Sequence, residues 1–233
     1  PLQFQPGTAW GYGLNTDVLG RVVEVASGQT LDNFFQHRIF QPLKMRDTYF
    51  VLPADKRQRL AALYAPDASE KIHRIDDKPQ LSTSIIGTVP YSATYPLADN
   101  SQFHSGGAGL VSTISDYARF LQMLLNGGEL NGQRLLKPET VTQMTTNQIG
   151  KLDCGFKNHG DKFGFGFGIA TSASKPAEVA TVGSYSWGGI FYTYFLVDPE
   201  QRLIAIFMAQ VFPWDHLTLH DNFKHYVYEA LSR

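Results

Sequence analysis

The stretch "YSWGGIFYTYFLVDPEQRLIAIFMAQ", Tyr185–Gln210, decides the fold class. Within it "GIFYTYFLVD" and "RLIAIFMAQ" are short runs rich in aromatic and β-branched residues, which suit a pleated, half-buried surface. The Asp198-Pro199-Glu200-Gln201 step between them is turn chemistry, so the two runs are expected to fold back as an antiparallel hairpin. "FGFGFGIA" and "EVATVG" upstream have the same strand character, and an amphipathic helix is expected from about Thr218 to Leu231. The C-terminal part is therefore an antiparallel sheet with a terminal helix packed on it.

Working towards the N-terminus, the period changes to that of helices. In "GGAGLVSTISDYARFLQMLLNGG", Tyr117, Phe120, Leu121, Leu124 and Leu125 form one apolar stripe. Ser115-Asp116 is the expected cap and first turn, and Gly127-Gly128 the stop. A further helix is expected from Pro138 through Val141 and Met144, since proline suits the first helical position. Near the start of the chain, Val18, Leu19, Val22, Val23 and Ala26 repeat at helical spacing, with Thr16 as expected N-cap and Gly28 as stop. A second helix should run from Thr30 through Leu31, Phe34, Phe35 and Ile39 and end before Pro42. Phe50 to Ala108 carries many Pro, Ser, Asp and Asn and shows only a short helical possibility near Lys56 to Leu63. Loops of this length usually shape a binding site. The expected organisation is α+β, with a mostly helical subdomain and long active-site loop over 1–150 and the antiparallel sheet with its helix over 151–233.

Composition narrows the function classes. A chain of 233 residues, 43% of them apolar, can bury a sizeable core. Twenty basic against twenty-one acidic residues leave a net charge of -1, and no Lys/Arg block stands out, so no nucleic-acid partner is expected. The longest apolar runs are about half of a membrane span, so none is expected to cross a bilayer. Cys154 is the only cysteine, which excludes an intrachain disulfide and a thiolate cluster but does not decide between cytoplasm and periplasm.

Four short motifs carry a chemical suggestion and fail on inspection. His216 and His220 in "HLTLH" have the spacing of a helical zinc pair, but Leu217 stands where the acidic residue belongs, and no metal is expected. "GFGFG" from Gly164 lacks the strand-turn-helix setting of a dinucleotide fingerprint. "SYSWGG" has Ser184 where a nucleophile elbow has its first glycine. Ser172 and Lys175 match S-x-x-K, in which an amine one helical turn away accepts the hydroxyl proton, but Pro176 biases Lys175 away from helical geometry. A hairpin loop is the better reading of that segment, and no cofactor is implied by any motif.

Taken together, "FQPGTAWGYGLNTDVLGRVVEVASGQTLDNFFQHRIFQPLKM", "GGAGLVSTISDYARFLQMLLNGGELNGQRLLKPETVTQM", "GFGFGI" and the opening stretch resemble, in order, the serine β-lactamase-related superfamily. Within it the chain is most similar to family VIII carboxylesterases, relatives of class C β-lactamases and penicillin-binding proteins. The resemblance implies a β-lactamase/transpeptidase-like α+β fold and a covalent acyl-enzyme. It also implies that Tyr12 occupies the tyrosine of the second motif, beside the nucleophilic serine and lysine, as general base or proton relay. A tyrosine of ordinary pKa is a poor base at neutral pH, and a neighbouring lysine charge is what makes its phenolate accessible. On spacing alone, the favoured reading of Tyr12 is an aromatic packed against the helix that follows. Trp187, Gly188 and Gly189 fall on the third motif, which implies a strand beside the serine with the backbone N–H of Ile190 aimed at the oxyanion. Without the resemblance, a strand bulge explains the glycine pair.

Two departures from β-lactamases bear on substrate. Leu14 stands where the second motif often has an amide-binding Asn, and Trp187 where the third often has a carboxylate-binding Lys. Both remove polar contacts a β-lactam would use, so small neutral esters are expected over β-lactam-like substrates. Preference among esters is expected to depend on the loop between Phe50 and Phe103. No helical S-x-x-K precedes Tyr12. The expectation is that the chain is the C-terminal part of a longer hydrolase, inactive alone and without its nucleophile. The alternative is a non-catalytic, peptide-binding relative with the same fold.

Overall fold

The structure, a computed structural model, describes residues 2–84, 87–97, 103–154, 160–174, 181–213 and 217–231. Helix α1 (Asn15–Ser27) leads into α2 (Leu31–Phe35), a π turn over Gln36–Phe40, and α3 (Gln41–Leu43). A 3-10 turn (Ala54–Arg59) follows, then the hairpins β1 (Tyr64–Pro66) with β2 (Ile72–Arg74) and β3 (Gln80–Ser84) with β4 (Gly87–Tyr91). Next come a short 3-10 turn (Tyr95–Leu97), α4 (Ile114–Leu125), the two-residue strands β5 (Glu129–Leu130) and β6 (Gln133–Arg134), and α5 (Pro138–Met144). The sheet is formed by β7 (Lys162–Phe163), β8 (Gly168–Ile169), β9 (Tyr185–Gly188), β10 (Thr193–Asp198) and β11 (Leu203–Met208), antiparallel in the order β11-β10-β9-β8-β7. Helix α6 (Leu219–Leu231) closes the described chain.

The opening stretch supplies β9, β10 and the edge strand β11 of this sheet. Phe195 pairs with Ile206 and Tyr194 with Phe207, so alternate residues of β10 and β11 point to opposite faces. Phe195, Val197, Ile204 and Ile206 join Leu121, Leu124, Phe40 and Leu43 in the main core, beneath α4. Tyr194 and Phe207 meet His220 and Phe223 of α6 on the other face. The turn after β10 is fixed by the buried Asp198, whose carboxylate accepts from the Gln201 N–H at 3.0 Å and from the Tyr228 hydroxyl at 2.6 Å. Burial, with the Asp198 charge adding to it, pushes the Tyr228 phenol up to about 12.

Several expectations are corrected. The first helix begins at Asn15, after Leu14, so Thr16 lies inside it and not at its cap. Its apolar stripe faces outward, with Val18, Leu19, Val22 and Val25 all more than half exposed. The inward side is the narrow, mostly polar row Asp17, Gly20 and Glu24: Asp17 binds the loop before α4, and Glu24 accepts from the Leu31 N–H at 3.0 Å. The second helical run does not stop before Pro42 but continues through it to Leu43. A proline ring crowds the carbonyl four residues back, and the widened π turn just before, where the Gln41 N–H reaches the Gln36 carbonyl, lets the helix pass it. The cap of α4 is Thr113, which accepts from the Asp116 N–H at 3.2 Å, two residues earlier than Ser115-Asp116 suggests. Asp116 is instead buried and accepts from the Asp47 N–H at 2.6 Å and the Thr48 hydroxyl at 2.9 Å. Of "EVATVG", Glu178 to Ala180 lie outside the described residues, and Thr181 to Gly183 form a turn and not a strand.

Asp47 also accepts from Arg59 at 2.7 Å and Lys56 at 3.0 Å, and these two cations hold its carboxyl down at about 2. An unfolded aspartate titrates near ~3.9, so this cluster stabilises the fold above that pH and ceases to do so as pH falls through about 2. Asp47→Asn is expected to flatten the acid limb of stability between those values by no more than ~1 kcal/mol, because the pairs are partly solvated. Urea unfolding at stepped acid pH reads the slope.

Candidate active site

Tyr12 stands on the segment that enters α1 and is 53% exposed. Two residues before it, Trp10 stacks along Tyr12 with ring centroids 6.1 Å apart. The entry to α1 is held from within by the Asn15 amide donating to the Gly11 carbonyl at 3.2 Å. It is held from outside by the loop before α4: the Ser105 hydroxyl and the Gly107 N–H both donate to the Asp17 carboxylate. Gly106 lets this loop touch the helix, because a Cβ there would lie 2.3 Å from the Thr16 carbonyl oxygen. Tyr12 is thus placed by α1, and α1 by Gly106.

The third-motif strand meets Tyr12 at Trp187, whose ring lies 5.7 Å from that of Tyr12. Phe163 on β7 closes the set, 5.0 Å from Trp187 and 5.2 Å from Trp10. Trp10, Phe163 and Trp187 form a neutral aromatic wall along one side of the tyrosine. Tyr12 therefore packs onto the sheet through Trp187. In β9, Trp187 pairs with Phe195 and Gly188 with Tyr194. Past the strand the Gly189 N–H donates to the Thr193 carbonyl at 2.8 Å and the Tyr192 N–H to the Gly189 carbonyl at 3.0 Å. Ile190 lies inside this turn, half-buried. Gly189 has no room for a side chain, since a Cβ would sit 2.2 Å from the Thr193 hydroxyl oxygen. The pair Gly188-Gly189 ends a regular ladder at a tight turn, which is not a bulge in the β9 and β10 register.

The other candidates fall apart from this site or outside the described residues. Ser172 is exposed in a turn, and Lys175 lies outside the described residues. His216 also lies outside them, while His220 stacks on Tyr192 behind the third-motif strand. Leu14 is exposed at the start of α1. Among the described residues no helix carries a serine and a lysine one turn apart, and no helix is long and apolar enough to cross a membrane. Trp10 and Phe163 escaped the sequence reading. Trp10 has a local signal in its two-residue spacing from Tyr12, whereas Phe163 is one of several aromatics in a glycine-rich run and nothing local marks it.

With this geometry in view, a family model described as Beta-lactamase matches residues 1–226. Protein Rv1367c of Mycobacterium tuberculosis is 31% identical over 225 residues, covering 91% of this chain and 51% of that protein. Esterase EstB of Burkholderia gladioli is 31% identical over 213 residues, covering 90% of this chain and 51% of the esterase. Among solved structures, EstCE1, titled a hydrolase with promiscuous acyltransferase activity, superposes with a TM-score of 0.81 at 24% identity, covering 96% of this chain and 56% of that one. The chain spans about half the length of the curated relatives it matches.

Proposed function

The chain belongs to the beta-lactamase family, and from that premise we propose that it carries the proton-transfer tyrosine and the oxyanion strand of a serine carboxylesterase. The observation that carries the reading is the contact of Tyr12 with Trp187 at 5.7 Å, which joins the second-motif tyrosine to the third-motif strand across the whole chain. The nucleophilic serine and its lysine lie outside these 233 residues. Two observations support this: no described helix carries the pair, and the apolar stripe of α1 is turned to solvent as a surface awaiting cover.

The chemistry follows in two halves. As the serine oxygen attacks the ester carbonyl, its proton passes to the Tyr12 phenolate. The carbonyl oxygen becomes an oxyanion and accepts from the Ile190 N–H. Collapse breaks the bond to the alcohol oxygen, which leaves with the proton held by Tyr12, and the acyl group stays on the serine. Water then attacks the acyl-enzyme, gives a proton to Tyr12, and the free acid departs as the proton returns to the serine.

Substrate class follows from what the wall lacks. Trp10, Phe163 and Trp187 offer apolar surface and no cation for a carboxylate, so small neutral esters fit and β-lactams lose an ionic contact. For the product of the full coding region, kcat/KM on p-nitrophenyl butyrate is expected to exceed that on a chromogenic cephalosporin by about tenfold or more. Preferential turnover of the cephalosporin contradicts the ester reading.

A further inference from the structure

His220, in the first turn of α6, is set in a stack of rings behind the third-motif strand. Its imidazole lies 3.9 Å from the Tyr192 ring at 29° and 5.0 Å from the Tyr194 ring at 28°. Its Nε2 is 3.2 Å from the Tyr192 carbonyl oxygen, which only accepts, so Nε2 carries the proton and donates. One residue earlier, the Leu219 N–H donates to the Tyr192 hydroxyl at 2.7 Å. Tyr192 is thus gripped at both ends, carbonyl and phenol, by the start of one helix.

That grip falls on an unusual residue. Tyr192 is 1% exposed and has a φ of 71°, left-handed backbone that a bulky L residue keeps only where its surroundings hold it there. It closes the turn by donating from its N–H to the Gly189 carbonyl, and the Gly189 N–H donates to Thr193. The His220 Cε1 is also 3.8 Å from where a Gly188 Cβ would stand. One imidazole therefore touches the turn that presents Ile190 and lies beside Gly188 at the end of the strand.

We propose that His220 is a positioning residue: through Tyr192 it clamps the turn over 189–192 so that the Ile190 N–H is held ready for the oxyanion. This rests on the reading of Ile190 as the oxyanion donor, whereas the clamp itself rests only on the contacts above. It gives the second histidine of "HLTLH" a role that needs no metal.

Amide hydrogen exchange on the 233-residue chain tests the clamp without any turnover. His220→Phe keeps a ring in the stack and removes the donor, while His220→Gln keeps an N–H donor at similar reach. With Phe, exchange of the Gly189 and Tyr192 amides is expected to rise about tenfold or more, with Leu196 in mid-strand unchanged, and Gln is expected to restore most of the protection. Equal exchange in Phe and Gln variants, or equal acceleration at Gly189 and Leu196, overturns the clamp. In the product of the full coding region, His220→Phe is expected to lower kcat for p-nitrophenyl butyrate about tenfold with KM held. An unmoved kcat beside raised exchange overturns the link to Ile190. Absence of esterase activity in the parent counts against the esterase reading alone, and the exchange result stands.

Discussion

Tyr12→Phe is expected to reduce hydrolysis of p-nitrophenyl butyrate by the full-coding-region product about tenfold or more. The substitution removes one oxygen and keeps the ring, so the ring contacts with Trp10 and Trp187 persist. What is lost is the group that takes the serine proton and returns it to the leaving alcohol. That transfer belongs to the transition state, so kcat and kcat/KM fall together while KM holds. A rise in KM at constant kcat would assign Tyr12 to ordinary substrate contact. Unchanged turnover would remove it from the chemistry altogether.

Gly106→Ala is expected to be a damaging single methyl group beside the entry to α1. Its Cβ would lie 2.3 Å from the Thr16 carbonyl oxygen, and both are backbone, so no side chain can swing away to relieve the clash. The loop and the first turn of α1 must separate, and the bonds from Ser105 and Gly107 to Asp17 go with them. Overpacking of this kind costs ~1–3 kcal/mol, or roughly 2–12 °C of melting temperature for a chain of this size. Gly13→Ala is the matched control, because nothing stands within 4 Å of a Cβ there. Scanning calorimetry on the two variants separates the clash from a general cost of replacing glycine, and equal melting points would refute the docking role of Gly106. Tyr12 lies on the segment leading into that turn, so Gly106→Ala is also expected to lower esterase activity.

What was legible in the sequence had local causes. Aromatic and β-branched residues crowd "TYFLVD" and "LIAIFM", and with a turn tetrapeptide between them they specify a hairpin, which forms the β10-β11 end of the sheet. The helix at Ile114 was legible because its stripe and its glycine stop agree. Periodicity misplaced the inner face of α1, because the contacts that dock this helix are polar and the valines, which dominate the pattern, look outward. The hairpins β1 to β4 were missed for a related reason: β2 is exposed along its whole length, so no alternation betrays it. The π turn ahead of Pro42 has no sequence signal beyond the proline itself. Phe163, Tyr192 and His220 acquire their roles from elements that meet only when the sheet is assembled, and spacing along the chain carries no trace of that.

The central claim is that these residues hold the tyrosine and oxyanion strand of an acyl-enzyme hydrolase while the nucleophile lies elsewhere. Labelling with a serine-directed fluorophosphonate, mapped by mass spectrometry, tests it most directly. The account predicts no adduct on the 233-residue chain, and on the full-coding-region product a single adduct on a serine outside these residues, three positions, or one helical turn, before a lysine. An adduct at Ser172, or at any other serine of this chain, would contradict it.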